Sequence, residues 1–595
     1  MKKFFFLSAI ALLGLATACV DQQPVNPNFN AERGEVKTDF TINVATPVAT
    51  KVSEETAQAQ ATPVFRGMNN MTLFVLKGDP APAAQDETPA DFETNKYDLG
   101  TLSSGEITAT QSSKIYNLTF PTGVKNMVFY AKATPNGTDA NANGKITWPS
   151  TATKKADVVF GLSPIAESTD EFTAEANKIQ TALNTVVTAF GTTTAEGYDV
   201  NLKKAYDLFT KISSSELRLG SAAGVKRMIT DLRKTVVNLK AGQGASTDFI
   251  NLCDAILAAI DRNFTDGIVS GVEEDFPADL GLPEGAAQLT FSNGAFAYAT
   301  THGAVDGATA TAITKYAYPV ELCYWVSSAI RTSEDPDITA DMYPTTVANW
   351  EAWSGWGDVQ WTDKGTITSG TRAVALRENI QYANALMKTT IQYDDEKDLQ
   401  DNNAKFNEGE ENNTVDKKFA VKGILVGKQP AQVAWNFKDA SNATRENVIY
   451  DNVFDAYAIP TTKPLYTMVF DNYTTSTAAN DKVVNIAVEL VNNTGKDFWG
   501  KDNLIPNGGT FYLAAQLDLA TLKTVPEGVE SVFVQDYMTS VKLKIGEKSL
   551  QSAYATVPDL RSVAMTFGLS VDLTWQAGAE FEIEFGGQTA TTGGN

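Results

Sequence analysis

Residues 484–490 read VNIAVEL, and Val484, Ile486, Val488 and Leu490 occupy every second position. Successive side chains of a β-strand point to opposite faces of the sheet, so this alternation predicts a strand with one apolar face. The pattern recurs at Val541, Leu543 and Ile545, at Leu569, Val571, Leu573 and Trp575, and at Phe581, Ile583 and Phe585. Many short strands separated by turn residues predict a mainly β chain built of β-sandwich domains.

The first part of the chain carries the same signal. Between residues 36 and 49, Phe40, Ile42 and Val44 alternate with polar residues, which predicts a half-buried strand. Apolar runs predict further strands at 71–76, 115–120 and 127–131, with proline- and glycine-containing turns after them.

The apolar period changes between about residues 167 and 265. Apolar residues recur there every three or four positions, which predicts four amphipathic helices separated by Gly, Ser and Thr. Their apolar faces cover residues 179–190, 202–209, 228–239 and 249–260. We interpret this block as a helical insertion packed against a sheet domain. A further helix is predicted over residues 374–388, where apolar residues also follow a helical spacing.

The N-terminus has the order of a secretory signal. Lys2 and Lys3 precede an apolar run from Phe4 to Ala16, and small residues lead to Cys19. This order predicts a bacterial lipoprotein, cut just before Cys19 and lipidated on that thiol; the alternative is an ordinary signal peptide with an incidental cysteine. Two or three acyl chains are enough for stable membrane anchoring.

Composition argues against several function classes. The chain has 595 residues, room for several domains, and a net charge of −23, which repels the phosphate backbone of nucleic acids. His302 is its only histidine, so a histidine-based catalytic triad or zinc site is not expected. No catalytic or phosphate-binding motif is present, and no two carboxylates stand out as a glycosidase pair. Residues 451–455 and 501–503 are only weak calcium candidates. We therefore expect no enzymatic activity, no cofactor and no metal.

Two features leave alternatives open. Cys253 and Cys323 could pair outside the cytoplasm, or they could be buried free thiols. A tryptophan cluster could stack on sugar rings or could close the edge of a sandwich core. Its members are Trp350, Trp353, Trp356 and Trp361.

Several stretches in a fixed order carry a family resemblance. They begin with the lipoprotein signal ending at Cys19 and the strand Phe40–Ala45, which a basic residue follows. Next come MNNMTLFV at 68–75, YPVELCYW at 318–325, VALRENIQYA at 374–383, VKGILVGKQP at 421–430, VFVQDY at 532–537 and the segment 545–561. In this order and spacing the chain resembles the fimbrillins of Bacteroidales, subunits of type V pili, and most closely the minor-fimbria-type shaft subunits.

The resemblance implies two transthyretin-like Greek-key β-sandwich domains. Residues 1–18 would be the signal peptide and 19–51 a lipidated propeptide containing the first strand. Residues 52–280 would form the N-terminal sandwich with its helical insertion (about 167–265), and 281–595 the C-terminal sandwich ending in a donor strand.

The resemblance also implies a maturation step. A trypsin-like protease specific for Arg or Lys would remove the lipidated N-terminus together with the first strand. Lys51 follows that strand in a polar segment and is the expected cleavage site, unless it is an ordinary surface lysine. Arg66 is the alternative, whereas a cut at Arg33 would leave the strand in place. The precursor would lie on the outer membrane and the mature protein in an extracellular fimbria.

Polymerisation by donor-strand exchange is the last implication. The groove vacated by Phe40, Ile42 and Val44 would accept a C-terminal strand of the next subunit. Phe581, Ile583 and Phe585 repeat the spacing of the displaced strand and are the donor candidates; alternatively they form a fixed last strand, and the chain is a tip or accessory subunit. The expected partners are identical and related pilin subunits, the outer membrane through the precursor's lipid, and surface ligands of host or bacterial cells.

One alternative belongs to a different class. The chain could be a permanently anchored, surface glycan-binding lipoprotein that uses the tryptophan cluster. A third interpretation, a glycoside hydrolase, requires two carboxylates in one cleft, and the sequence identifies none.

Overall fold

The computed structural model confirms the predicted fold class, because the chain is mainly β and consistent with β-sandwich domains. The structure describes residues 29–30, 35–43, 67–76, 96–106, 113–121, 126–134, 158–165, 170–191, 198–211, 222–242, 244–272, 283, 288–299, 315–329, 380–407, 409–438, 445–452, 456–461, 464–474, 482–501, 503–521, 525, 529–561, 565, 567–577 and 583–584.

The strands before residue 384 are β1 (Phe29–Asn30), β2 (Glu35–Asn43), β3 (Gly67–Leu76), β4 (Lys96–Ser103), β5 (Ser113–Pro121), β6 (Asn126–Ala133), β7 (Phe160–Gly161), β8 (Phe264–Thr265), β9 (Ile268–Val269), β10 (Gln288–Ser292), β11 (Ala295–Ala299), β12 (Lys315–Ala317), β13 (Cys323–Ala329) and β14 (Gln381–Tyr382). The helices are α1 (Asp170–Ala189), α2 (Val200–Lys211), α3 (Ala222–Lys240), α4 (Thr247–Asn263) and α5 (Asn403–Phe406).

The later strands are β15 (Ala385–Tyr393), β16 (Leu399–Gln400), β17 (Thr414–Val415), β18 (Phe419–Gln429), β19 (Gln432–Val433), β20 (Asn447–Asp451), β21 (Tyr457–Ala458), β22 (Leu465–Val469), β23 (Val484–Asn492), β24 (Phe498–Trp499), β25 (Leu504–Ile505), β26 (Thr510–Leu517), β27 (Tyr537–Ile545), β28 (Leu569–Ala577) and β29 (Ile583–Glu584). Short 3₁₀ turns cover Ser104–Glu106, Leu519–Thr521 and Ser549–Ser552.

Two sheets form the N-terminal half. One has five strands in the order β14-β13-β6-β3-β4, and the other has four, with β2 pairing β1, β5 and β29. The Tyr116 hydroxyl on β5 lies 3.9 Å from the sulfur of Met71 on β3, so side chains connect the two sheets. Strand β13 pairs with β6 over its full length, from Cys323↔Lys132 to Ala329↔Asn126. Strands from both sides of the predicted boundary at residue 280 therefore share one sheet.

The C-terminal half is a β-sandwich. A six-stranded sheet runs β12-β20-β18-β23-β26, with β21 also on β18, and a four-stranded sheet runs β22-β15-β27-β28. Val484, Ile486, Val488 and Leu490 of β23 lie in one buried core with residues of β15 and β27, as the opening alternation predicts. Burial of this apolar surface is the main force that holds two such sheets together.

The other face of the six-stranded sheet is buried as well. Glu489 on β23 is fully buried, and the hydroxyls of Tyr450 and Tyr512 donate hydrogen bonds to its two carboxylate oxygens at 2.6 and 2.7 Å. Gly423 leaves room for this group, because a Cβ there would lie 2.6 Å from the Tyr450 ring. A buried carboxylate has to be hydrogen-bonded in this way to be tolerated.

A second polar group is buried beside this sandwich. The Asp471 carboxylate accepts hydrogen bonds from the backbone N–H groups of Tyr473 (2.6 Å) and Gln535 (3.0 Å), and from the Ser531 hydroxyl at 3.3 Å. Burial raises the pKa of Asp471, and these hydrogen bonds only partly offset that effect.

Buried contacts join the two halves. The Tyr130 hydroxyl on β6 donates to the Trp435 carbonyl at 2.5 Å, and the rings of Phe160 and Phe437 stack with their centroids 4.2 Å apart. The backbone N–H of Cys323 donates to the Asn384 side chain at 3.0 Å, directly before β15.

The four predicted helices α1 to α4 are confirmed, and they have a core of their own. This core includes Leu289 and Phe296 from the β10–β11 hairpin, so the hairpin closes the helical block. Asn184 on α1 fixes the hairpin by bonding both the N–H and the carbonyl of Phe296, at 2.7 and 2.9 Å. Among the described helices, none is long and apolar enough to cross a membrane.

The helix predicted over 374–388 is wrong, because its C-terminal part forms β14 and β15. Burial alternates along Ala385–Tyr393, and Thr389 occupies one of the buried positions. Because Thr389 is polar, the apolar residues of this segment do not alternate in the sequence. The four-residue spacing of Ala383 and Met387 is instead that of a helix. The run Thr389-Thr390-Ile391 is β-branched, and such residues favour strands.

Candidate functional site at the first and last strands

Strand β2 is paired along its whole length on one edge. All nine residues pair antiparallel with β5, from Glu35↔Pro121 to Asn43↔Ser113. The side chain of Ile42 is fully buried. The strand predicted to be displaced is therefore an integral part of its sheet.

The opposite edge of β2 carries two short strands. Strand β1 pairs near its start, at Phe29↔Val36 and Asn30↔Glu35. Strand β29 pairs near its end, at Thr41↔Glu584 and Ile42↔Ile583. The first predicted strand of the chain and the last strand that the structure describes are thus direct neighbours in one sheet.

The directions of these strands follow from their pairing. Strand β2 is antiparallel to both β5 and β29, so β5 and β29 run in the same direction on either side of it. Pairs in register lie on the same face of a sheet, which places Ile583 on the same face as Ile42.

The region around β5 is held by specific side chains. Lys114 forms an ion pair with Glu106, at the end of the turn that follows β4. The hydrogen bond from Lys114 is the main cause of the lowered pKa of the exposed Glu106 carboxyl. A hydrogen bond from the backbone N–H of Ser103 is the second cause. Burial, and after it the charge of Glu106, raises the pKa of Tyr116 to about 12. In the described part of the chain β2 is the only strand that pairs with β5, and these side-chain contacts link β5 to the turn after β4 and to β3.

Of the predicted site residues, the structure brings Ile42 and Ile583 together. Phe40 lies in β2, in register with Tyr116 of β5. Cys19, Val44, Lys51, Arg66, Phe581 and Phe585 lie outside the described residues.

Sequence reasoning did not identify β5 as the partner of β2. The apolar run at 115–120 predicts a strand, but nothing in one sequence shows which strand lies beside it. Pairing between residues this far apart leaves no local signal, because only the alternation on each strand is visible.

The two described cysteines are free and buried, which decides against a disulfide between them. Cys253 lies on α4 and Cys323 on β13, and burial is the first cause of the raised pKa of both thiols. In the described part of the chain, no group of three or more His, Cys, Asp and Glu side chains could hold a metal ion.

A cleft of about 590 Å³ lies in the helical block, between the start of α2 and the α3–α4 turn. Two of its polar residues already have structural roles. Asp199 accepts the N–H groups of Asn201 and Leu202, and Ser246 accepts that of Phe249, so both cap helix N-termini. The tryptophan cluster at 350–361 lies outside the described residues.

Comparison with known proteins gives structural neighbours only. No protein-family model matches the chain, and no curated protein matches it. A solved structure from Bacteroides eggerthii, described as a "putative cell adhesion protein", is 7% identical, with 86% of this chain and 90% of that chain covered and a TM-score of 0.30. Proteins with the same description from Bacteroides uniformis and Parabacteroides distasonis are each 9% identical. They cover 50% and 47% of this chain and 84% and 82% of their own, with TM-scores of 0.16 and 0.18. TM-scores this low do not establish a common fold, so the fold rests on the sheets and cores described above.

Proposed function

We propose that this chain is a structural subunit of a cell-surface fimbria that supports adhesion, and not an enzyme. It would be exported as a lipoprotein anchored through Cys19, cut after Lys51, and polymerised with identical or related subunits by exchange of a strand. The observation that supports this proposal best is the position of β2, which lies between β5 and β29, the last described strand.

Removal of β2 would leave β5 without a strand partner among the described residues. Strand β5 would lose its nine backbone partners, and a strand with free N–H and C=O groups is a template for another strand. The buried site of Ile42 would become an empty pocket that an incoming apolar side chain could fill. Burying one such side chain contributes about 1.5–3 kcal/mol.

Several alternating side chains would add up to a durable junction. Three of them contribute roughly 5–9 kcal/mol before the cost of ordering the incoming strand. The spacing of Phe581, Ile583 and Phe585 suits this role, because only alternate residues of a strand face the core.

Limited trypsin treatment of the purified precursor tests the proposal. The mature chain should begin at Val52 and should form filaments, measured by N-terminal sequencing, sedimentation and electron microscopy. The variant Lys51→Gln should remain uncut at this site and monomeric, whereas Arg66→Gln should mature normally. A cut chain that stays monomeric even with related subunits, or a surface protein that keeps Cys19 as its first residue, contradicts the proposal.

A further inference from the structure

The last strand that the structure describes, β29, depends on β2. Strand β29 pairs with β2 and, in the described part of the chain, with no other strand. The preceding strand β28 is fixed separately, because it pairs with β27 over nine residue pairs from Tyr537↔Ala577 to Ile545↔Leu569. The strand that maturation would remove is therefore the one that holds β29.

We propose that β2 controls both elements of the junction in the uncut precursor: it fills the groove beside β5 and it holds the chain's own last strand. A single cleavage would then free the acceptor and the donor together. The direction in which the last strand runs would keep it from filling the groove of its own chain, so that a second copy must do so. This inference rests on the proposed function.

The direction follows from the observed pairing. Strand β2 runs antiparallel to β5, so a strand that takes its place in the same direction must also run antiparallel to β5. Strand β29 runs parallel to β5, because it is antiparallel to β2. To replace β2 in its own chain, the last strand would have to reverse its direction. Without reversal it would form a parallel pair, whose hydrogen bonds are slanted and slightly weaker.

The tether makes this reversal difficult. Only residues 578–582 separate β28 from β29, and a connection of this length spans at most roughly 20 Å when fully extended. The start of the connection is fixed by the β27–β28 pairing. The last strand of a second copy has no such tether to this sheet, and it can enter the groove in the direction that β2 had.

Thiol labelling at residue 583 can follow β29 directly. The variant Ile583→Cys, in a chain that also carries Cys19→Ser, places one thiol on β29 at the position that pairs with the buried Ile42. Cys253 and Cys323 are buried with raised thiol pKa values, so they react slowly with a maleimide. The labelling rate is measured on the uncut chain and on the cut chain from which the N-terminal fragment has been separated, both dilute enough to prevent assembly.

Labelling should be slow in the uncut chain and faster by roughly tenfold or more in the cut chain, a factor that corresponds to about 1.4 kcal/mol of opening free energy. A thiol introduced by Lys542→Cys, which is exposed on β27 and does not contact β2 through strand pairing, should react at the same rate in both. The Ile583→Cys chain that also carries Lys51→Gln should keep the slow rate after protease treatment.

Two results would overturn the inference. Fast labelling of the uncut chain would mean that β2 does not hold the last strand. Slow labelling of the cut, monomeric chain would mean that the strand has closed its own groove. Assembly of the wild-type chain is a separate readout. If concentrated, cut wild-type chains do not polymerise while labelling behaves as expected, the proposed function fails, but the control of β29 by β2 stands.

Discussion

Replacing Ile42 with alanine should destabilise the precursor and leave the fimbria unchanged. The Ile42 side chain is fully buried. The backbone of Ile42 pairs with Lys114 of β5 on one edge of β2 and with Ile583 of β29 on the other. Removing three carbon atoms costs roughly 2.4 kcal/mol of transfer free energy, at about 0.8 kcal/mol for each. The cavity left behind raises the expected loss to about 2–5 kcal/mol. Because β2 would be discarded during maturation, this loss should be confined to the uncut chain.

Denaturant unfolding of the uncut precursor measures the first effect, and the denaturant concentration that dissolves assembled filaments measures the second. The matched control is Asn117→Ala on the neighbouring strand β5, which is exposed and should change the free energy of unfolding by less than about 0.5 kcal/mol. Filaments of the Ile42→Ala chain that dissolve at a clearly lower denaturant concentration than wild type would refute the reasoning, because the strand would then still be part of the mature subunit.

Three further substitutions test the fold. Tyr130→Phe removes the hydrogen bond to the Trp435 carbonyl between the two halves and should lower the free energy of unfolding by about 0.5–1.5 kcal/mol in urea. Gly423→Ala places a Cβ 2.6 Å from a ring carbon and should lower the thermal midpoint through a loss of about 1–3 kcal/mol, whereas Gly105→Ala, with no atom closer than 3.8 Å, should not. The raised pKa of Asp471 means that its contribution to stability is present below its ordinary pKa of 3.8 and is lost as pH rises through the raised value. Urea midpoints measured across the acid range should show this loss in wild type, and Asp471→Asn should remove that part of the slope.

The sequence predicts well those helices and strands that have a single apolar face packed against a single hydrophobic core. The helices α1 to α4 form where the period of 3.6 predicts them, because each presents a single apolar stripe to a shared core. Strand β23 also follows its alternation, since its four apolar residues all enter the main core. In each of these segments the local pattern and the tertiary environment agree.

Prediction fails where a buried position is polar or a partner is distant. Thr389 is buried in the middle of β15, and its hydroxyl conceals the period of two. Glu489 is buried on the second face of β23, where a carboxylate would be expected to reach solvent. Its two tyrosine partners come from β20 and β26, and one sequence does not show that those strands lie on either side of the carboxylate. These positions are determined by tertiary contacts and not by local propensity.

Strands β2 and β29 show the same limit at the candidate site. Phe40, Ile42 and Val44 have the spacing of Phe581, Ile583 and Phe585, and this likeness suggests that one strand could take the place of the other. The structure places Ile42 and Ile583 side by side, and neighbouring strands with a common apolar face have the same alternation. The spacing of apolar residues therefore cannot show whether a strand replaces β2 or lies beside it. The direction in which that strand runs can show this. A replacement for β2 must run antiparallel to β5, and the chain's own last strand runs parallel to it. The similarity of the two patterns is then compatible with β29 of one copy replacing β2 in a second copy. It does not favour β29 replacing β2 in its own chain.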